Sequence, residues 1–326
     1  MSKPKVFVTR VILDSGLRLV QDFCDVDLWM DELPPPRDVL LERVRGVDGL
    51  LCLLTDQIDG DVMDAAGPQL KVISNHAVGY DNINVSEATE RRIPVGNTPG
   101  ILTDATADLT FALLLAAARR LVEAERFVRQ GKWKTWGPAL LLGMDVVGAT
   151  LGIVGYGRIG QAVARRAAGF GMRILYYDPF AAPAPSIPAQ AMDFETLLRE
   201  ADFVSLHTPL TDETYHMINA QSLALMKPTA VLINTSRGPV VDQQALYAVL
   251  KTRRIFAAAL DVTDPEPLPM DSPLLELENL IVLPHIASAS RSSREQMSRM
   301  AAENLLAGLR CERLPNCVNP EVYDNK

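Results

Sequence analysis

Thr150-Leu151-Gly152-Ile153-Val154-Gly155-Tyr156-Gly157-Arg158-Ile159-Gly160-Gln161-Ala162-Val163-Ala164-Arg165 carries the main structural signal of this chain. A short β-branched run leads into Gly-x-Gly-x-x-Gly, and a helical pattern leaves it. A second strand, Ile174–Tyr177, then closes on Asp178. Strand, glycine loop, helix and acidic strand end together form a dinucleotide-binding fingerprint, which the glycine pattern alone is not. Gly155 allows the tight turn, Gly157 lets backbone approach a diphosphate, and Gly160 lets the helix pack on the strand. Tyr156, Arg158 and Ile159 complete the loop, so residues 155–160 are read together as cofactor-binding. The helix N-terminus offers free N–H groups to the phosphates. Asp178 accepts from ribose hydroxyls and repels a 2′-phosphate, so NAD(H) is favoured over NADP(H).

On both sides of this stretch, short apolar runs alternate with helical patterns, the mark of parallel sheets covered on both faces. Upstream, strands are expected at 5–9, 26–29, 49–54 and 70–74, with helices at 12–23, 37–44 and 61–66. The turn-rich residues 94–100 read as a connector. A helix is expected from about Thr103 to Gln130, long enough to bridge two bodies. Residues 131–148 look irregular. Downstream, strands are expected at 150–154, 173–177, 203–206, 230–234, 256–261 and 280–283, and a helix at 291–309. Residues 315–326 read as a tail. The fold class is α/β, with two open parallel sheets and the crevice between them as the default ligand site.

Length agrees, since 326 residues are more than one core usually serves. With 48% hydrophobic and 22% charged residues, the chain is not globally disordered. The net charge of −8 excludes the basic footprint of a nucleic-acid binder. No apolar run has the length of a membrane span, and the N-terminus lacks a signal-peptide core, so a cytoplasmic protein is expected. Cys24, Cys52, Cys311 and Cys317 are scattered, which suits reduced thiols and no metal site.

Three residues sit where late strands end: Arg237 in Thr235-Ser236-Arg237-Gly238, Glu266 in Asp264-Pro265-Glu266-Pro267, and His285 behind Leu283-Pro284. Arg grips a carboxylate and polarises an oxo group, His donates a proton, and Glu keeps the His charged. Such a set fits reduction of a 2-oxo acid, although an Arg–Glu ion pair or a loop histidine would leave the same trace.

Further stretches extend the pattern: Val78-Gly79-Tyr80-Asp81-Asn82-Ile83, Thr98-Pro99-Gly100-Ile101-Leu102-Thr103-Asp104, Asn234-Thr235-Ser236-Arg237-Gly238, Leu260-Asp261-Val262-Thr263-Asp264-Pro265-Glu266-Pro267-Leu268-Pro269 and Leu283-Pro284-His285-Ile286. With the glycine loop, they resemble the D-isomer-specific 2-hydroxyacid dehydrogenases, and among them the glyoxylate/hydroxypyruvate reductases. The resemblance implies a Rossmann dinucleotide-binding domain, residues 101–289, inserted in a flavodoxin-like substrate domain, residues 1–100 plus 290–326. It implies Arg237, Glu266 and His285 as the catalytic set. Substrate would meet Leu54, the N–H groups of Val78 and Gly79, Arg237 and His285, and Trp136 reaching from a partner copy in a homodimer. Cofactor would meet Thr106, His207, Thr208, Pro209, Thr235, Ser236, Asp261 and His285 besides the glycine loop and Asp178. NADP(H) stays open, because some of these reductases prefer NADPH; their residue matching Asp178 is not acidic. Other 2-oxo acids (2-ketogluconate, phosphoglycerate-type substrates) and a dinucleotide-sensing scaffold are the alternatives. A formate dehydrogenase would carry Gln at position 266. His76 is the second departure; it reads as a solvated loop histidine, or as a residue that tunes substrate choice.

Overall fold

Short strands, most of them buried and most followed by a helix, build two parallel sheets in the computed structural model, which describes residues 3–180 and 187–324. The chain divides into two compact units, Met1–Leu102 with Ala289–Lys326, and Thr103–Ser288.

The first unit runs β1 (Lys5–Val8), α1 (Asp14–Phe23), β2 (Asp25–Leu28), α2 (Arg37–Arg43), β3 (Gly49–Cys52), α3 (Gly60–Ala66), β4 (Val72–Asn75), α4 (Val85–Glu90) and β5 (Val95–Gly96). Its strands pair in parallel in the order β2-β1-β3-β4-β5, the flavodoxin-like arrangement. Alternation along the strands splits the core. Phe7, Leu50 and Ile73 enter one apolar cluster, while Val6, Val8, Leu51 and Val72 enter the other.

The second unit opens with α5 (Thr103–Ala118) and α6 (Leu121–Arg129). It continues through β6 (Thr150–Val154), α7 (Arg158–Gly169), β7 (Arg173–Tyr177), β8 (Ala189–Ala191), α8 (Phe194–Glu200), β9 (Phe203–Leu206) and α9 (Ala220–Leu225). It closes with β10 (Val231–Asn234), α10 (Gln243–Lys251), β11 (Ala257–Leu260) and β12 (Leu280–Val282). The sheet order is β12-β11-β10-β9-β6-β7-β8, again parallel throughout. Strand order reverses between β6 and β9, so the carboxyl ends of those two strands flank a ligand crevice. The last helix, α11 (Arg291–Leu309), belongs to the first unit and packs on α1, β3 and β4. Gly16 permits that packing: a Cβ there would lie 2.1 Å from the Ser298 carbonyl oxygen.

Three expectations need correction. The single helix over 103–130 is two helices, broken where Arg120 adopts a left-handed conformation (φ +53°). The Arg120 guanidinium pairs with Glu123 and reaches the Leu142 carbonyl, contacts that hold the break. Both pieces lie in the second unit, so neither bridges two bodies. Residues 94–100 contain the edge strand β5, and the expected tail pairs with it: Val318 N–H donates to Val95 O and Asn319 Oδ1 accepts from Val95 N–H. The last two residues of that tail lie outside the described residues.

Candidate active site

In the second unit, β6 delivers the glycine loop. Gly155 has φ +90°, and a Cβ on it would sit 2.7 Å from the His207 carbonyl. A Cβ on Gly160 would lie 2.2 Å from Gly155 O, so α7 can start this close to the strand only with glycine there. At Gly157 a Cβ would meet nothing, which leaves open space over the loop. Gly157 also caps α7 without a side chain, so the first N–H groups of the helix have no side-chain cap. Asp178 Oδ2 accepts from Tyr156 N–H at 2.8 Å and Oδ1 from Phe180 N–H at 2.9 Å, which fixes the carboxylate beside the loop. The hydroxyl of Thr208 and Nδ1 of His207, just past β9, are buried without a hydrogen-bond partner among the described residues. These orphaned groups and the open cradle fit a dinucleotide. Its adenosine would lie toward Asp178, its diphosphate over Gly157 and Arg158.

Not every residue expected at the cofactor faces that space. The Tyr156 ring is buried and stacked on Tyr176 at 4.1 Å. His207 Nε2 pairs with Ser205 Oγ at 2.8 Å, and burial lowers its pKa to about 3, so the ring is neutral. Thr235 Oγ1 lies 2.9 Å from Thr110 Oγ1, and Thr110 in turn donates to Thr106 O. Pro209 and Arg158 are exposed, and Ile159 is half-buried.

The three side chains expected to be catalytic follow adjacent strands. Arg237 comes after β10, Glu266 lies in the loop between β11 and β12, and His285 comes after β12. Asn234 shapes the first of these turns: its Nδ2 donates to Arg237 O and its Oδ1 accepts from Ser236 N–H and Oγ–H. Gly238 is packed on the next loop, where a Cβ would meet Thr263 O at 1.9 Å. The Arg237 Nη1 donates to Ser236 O at 2.9 Å. His285 Nδ1 lies 2.6 Å from Glu266 Oε1. That contact directs Nε2, which has no partner among the described residues, outward. His285 sits at φ +54°, a conformation that costs a side chain energy. Asp261 holds it there: the carboxylate accepts from Ile286 N–H at 2.8 Å and Ala287 N–H at 2.7 Å, and its carbonyl accepts from His285 N–H. Burial raises the Asp261 pKa, opposed by those two N–H bonds.

In the first unit, Val78 and Gly79 lie past β4 and Leu54 past β3. The Ala77 carbonyl accepts from Thr98 N–H and the Val78 carbonyl from Asn97 Nδ2, both at 2.8 Å. Asn75 Nδ2 donates to Gly79 O and to Asn82 Oδ1. Asn82 donates onward to Leu53 O and Asp56 O, and buried Asp56 accepts from Leu53 N–H. Burial raises the Asp56 pKa, with Thr9 and Leu53 opposing it. His76 is not a solvated loop residue. It is buried, its Nε2 lies 3.0 Å from Ser298 Oγ, and burial, then Arg294, lowers its pKa to about 4. Because α11 covers the end of β4, no local pattern could show this. The reading from sequence also gave no role to buried Asn75, Asn82, Asp56 and Asn234 or to half-buried Asn97, polar residues at strand ends or in the loops after them.

A family profile described as "D-isomer specific 2-hydroxyacid dehydrogenase, NAD binding domain" matches residues 111–287. The chain belongs to the D-isomer-specific 2-hydroxyacid dehydrogenase family. This dehydrogenase is 57% identical to a glyoxylate reductase of Korarchaeum cryptofilum over 323 residues, covering 98% of this chain and 97% of the relative. It is 54% identical to one of Thermococcus litoralis over 326 residues, covering 98% of each. A solved protein of Thermus thermophilus matches with a TM-score of 0.91 at 50% identity, over 96% of this chain and 99% of that one. The NADPH-dependent glyoxylate/hydroxypyruvate reductase of Sinorhizobium meliloti, solved with NADP and malonate, matches at 32% identity and a TM-score of 0.85. That match covers 100% of the dehydrogenase and 99% of the relative. Among the described residues, no helix is long and apolar enough to cross a membrane.

Proposed function

We propose that the protein reduces glyoxylate, and hydroxypyruvate beside it, to the corresponding 2-hydroxy acids with NADH. The observation that carries this is the Glu266–His285 pair, 2.6 Å apart on the sheet edge that also bears the glycine loop and Arg237. The glyoxylate reductases named above, at more than half identity over nearly the full chain, support the substrate class. When bound, the reduced nicotinamide supplies a hydride to the oxo carbon. The N–H groups of Val78 and Gly79 and the Arg237 fork take the carboxylate, with Leu54 against the remaining face. Charge grows on the oxo oxygen, where Arg237 stabilises it and His285 Nε2 delivers a proton. Glu266 holds the ring orientation through Nδ1 and stabilises the imidazolium before transfer. Water then returns the proton to His285.

Asp178 supports NADH over NADPH, since a 2′-phosphate would meet a carboxylate already seated on the loop. Two copies pairing through the second unit is supported by the exposed apolar residues of the segment after α6, with Trp136 78% exposed and Trp133, Leu142 and Val147 also open. The direct test is a panel of 2-oxo acids assayed with NADH and with NADPH. The expected outcome is the highest kcat/KM for glyoxylate or hydroxypyruvate with NADH. Turnover of neither acid sinks the reading, and a preference for NADPH sinks the Asp178 argument.

A further inference from the structure

We infer that Asn97 is a positioning residue for the substrate carboxylate, setting the direction of the Gly79 N–H by holding the Val78 carbonyl. The inference rests on the reductase reading, and it assigns a role to a side chain that touches neither substrate nor cofactor. A trans peptide points its C=O and N–H in opposite directions. The carbonyls of Ala77 and Val78 both point at residues 97 and 98, one held by Thr98 N–H and the other by Asn97 Nδ2, each at 2.8 Å. The N–H groups of Val78 and Gly79 therefore both point away from that segment, to the same side. Neither donates to any oxygen among the described residues. Two adjacent donors turned one way are a ready anion seat. The first is set by the backbone N–H of residue 98, which every residue but proline supplies. The second depends on a side chain.

The backbone that carries this side chain is held on both sides. Asn97 N–H donates to Asn316 O, and Asn97 O accepts from Asn304 Nδ2 on α11 at 2.9 Å. Asn75, on the opposite flank, holds the next carbonyl along, Gly79 O, at 3.0 Å. Without Asn97 the Val78–Gly79 peptide is free to rotate, and one of the two carboxylate donors is lost part of the time. A hydrogen bond to a charged group corresponds to roughly a 10- to 100-fold change in binding. Asn97→Asp puts an acceptor against the Val78 carbonyl, and Asn97→Ser removes the reach without adding charge. Asn97→His keeps a ring N–H at about the same distance from the backbone.

The test is steady-state kinetics with glyoxylate and NADH on these three variants and the unaltered protein. Asn97→Asp and Asn97→Ser are expected to raise the glyoxylate KM about tenfold or more. Their kcat and their KM for NADH stay near those of the unaltered protein, and Asn97→His recovers much of the loss. A structural role alone would instead lower kcat and stability together and would not spare the cofactor. Should the Asp variant fail to fold, the Ser variant carries the same readout. An unchanged glyoxylate KM in Asn97→Ser, with normal turnover by the unaltered protein, overturns this inference and leaves the reductase reading standing. No glyoxylate turnover by the unaltered protein overturns both.

Discussion

His285 shows how much a single residue's neighbours decide. Its backbone sits in the left-handed region, where a side chain costs about 1 kcal/mol or more, and the two N–H bonds into the Asp261 carboxylate offset that. Its ring is aimed by Glu266, so position and orientation come from two separate carboxylates. His285→Ala is expected to lower kcat with glyoxylate by about 10²–10⁴ while leaving NADH binding nearly intact. Stopped-flow or fluorescence titration with NADH, beside the steady-state rates, checks both halves, and near-normal turnover would remove His285 from the proton-donor role. Arg237, Glu266 and His285 were legible in the sequence because each follows a clear strand. Their mutual distance was not: 19 residues separate Glu266 from His285, and only the β11–β12 pairing closes that gap.

Elements with a full hydrophobic period were readable, and those without one were not. β6, β7 and β9 are mostly apolar between turn residues, and their bounds match the expected ones. β5 is two residues long, too short to show alternation, and it exists because β4 and the C-terminal segment pair on either side of it. The break between α5 and α6 is likewise a tertiary product, since Arg119 and Arg120 are good helix formers by propensity. After α6 the segment 131–148 leaves Trp133 and Trp136 exposed on a single chain, an arrangement that suits an interface. Sedimentation equilibrium is expected to give twice the mass of one chain. Trp136→Ala is expected to keep that mass while raising the glyoxylate KM; a monomer in solution would contradict the pairing.

The whole molecule sets the response to pH. His76, which is buried, and His207, whose Nδ1 is buried, hold their protons weakly in the folded chain, at about 4 and about 3 against 6.5 for a free ring. The unfolded chain therefore binds more protons below pH 6.5, and stability falls as pH drops through that value toward 4. For His76 the loss between pH 7 and pH 5 is on the order of 2 kcal/mol. Urea unfolding of His76→Asn is expected to show a shallower decline over this window than the parent, because His207 alone remains. Equal slopes would mean that the imidazole at position 76 is not shielded by α11. Local sequence was enough to establish two parallel α/β sheets and a dinucleotide loop, and to single out three polar residues past late strands, because strand alternation and glycine turns are set by neighbours along the chain. Only the tertiary structure decided that His76 is buried, that Asn97 donates to the Val78 carbonyl and that Glu266 pairs with His285. Those are contacts between residues distant in sequence, and their strength depends on how completely the folded chain excludes water.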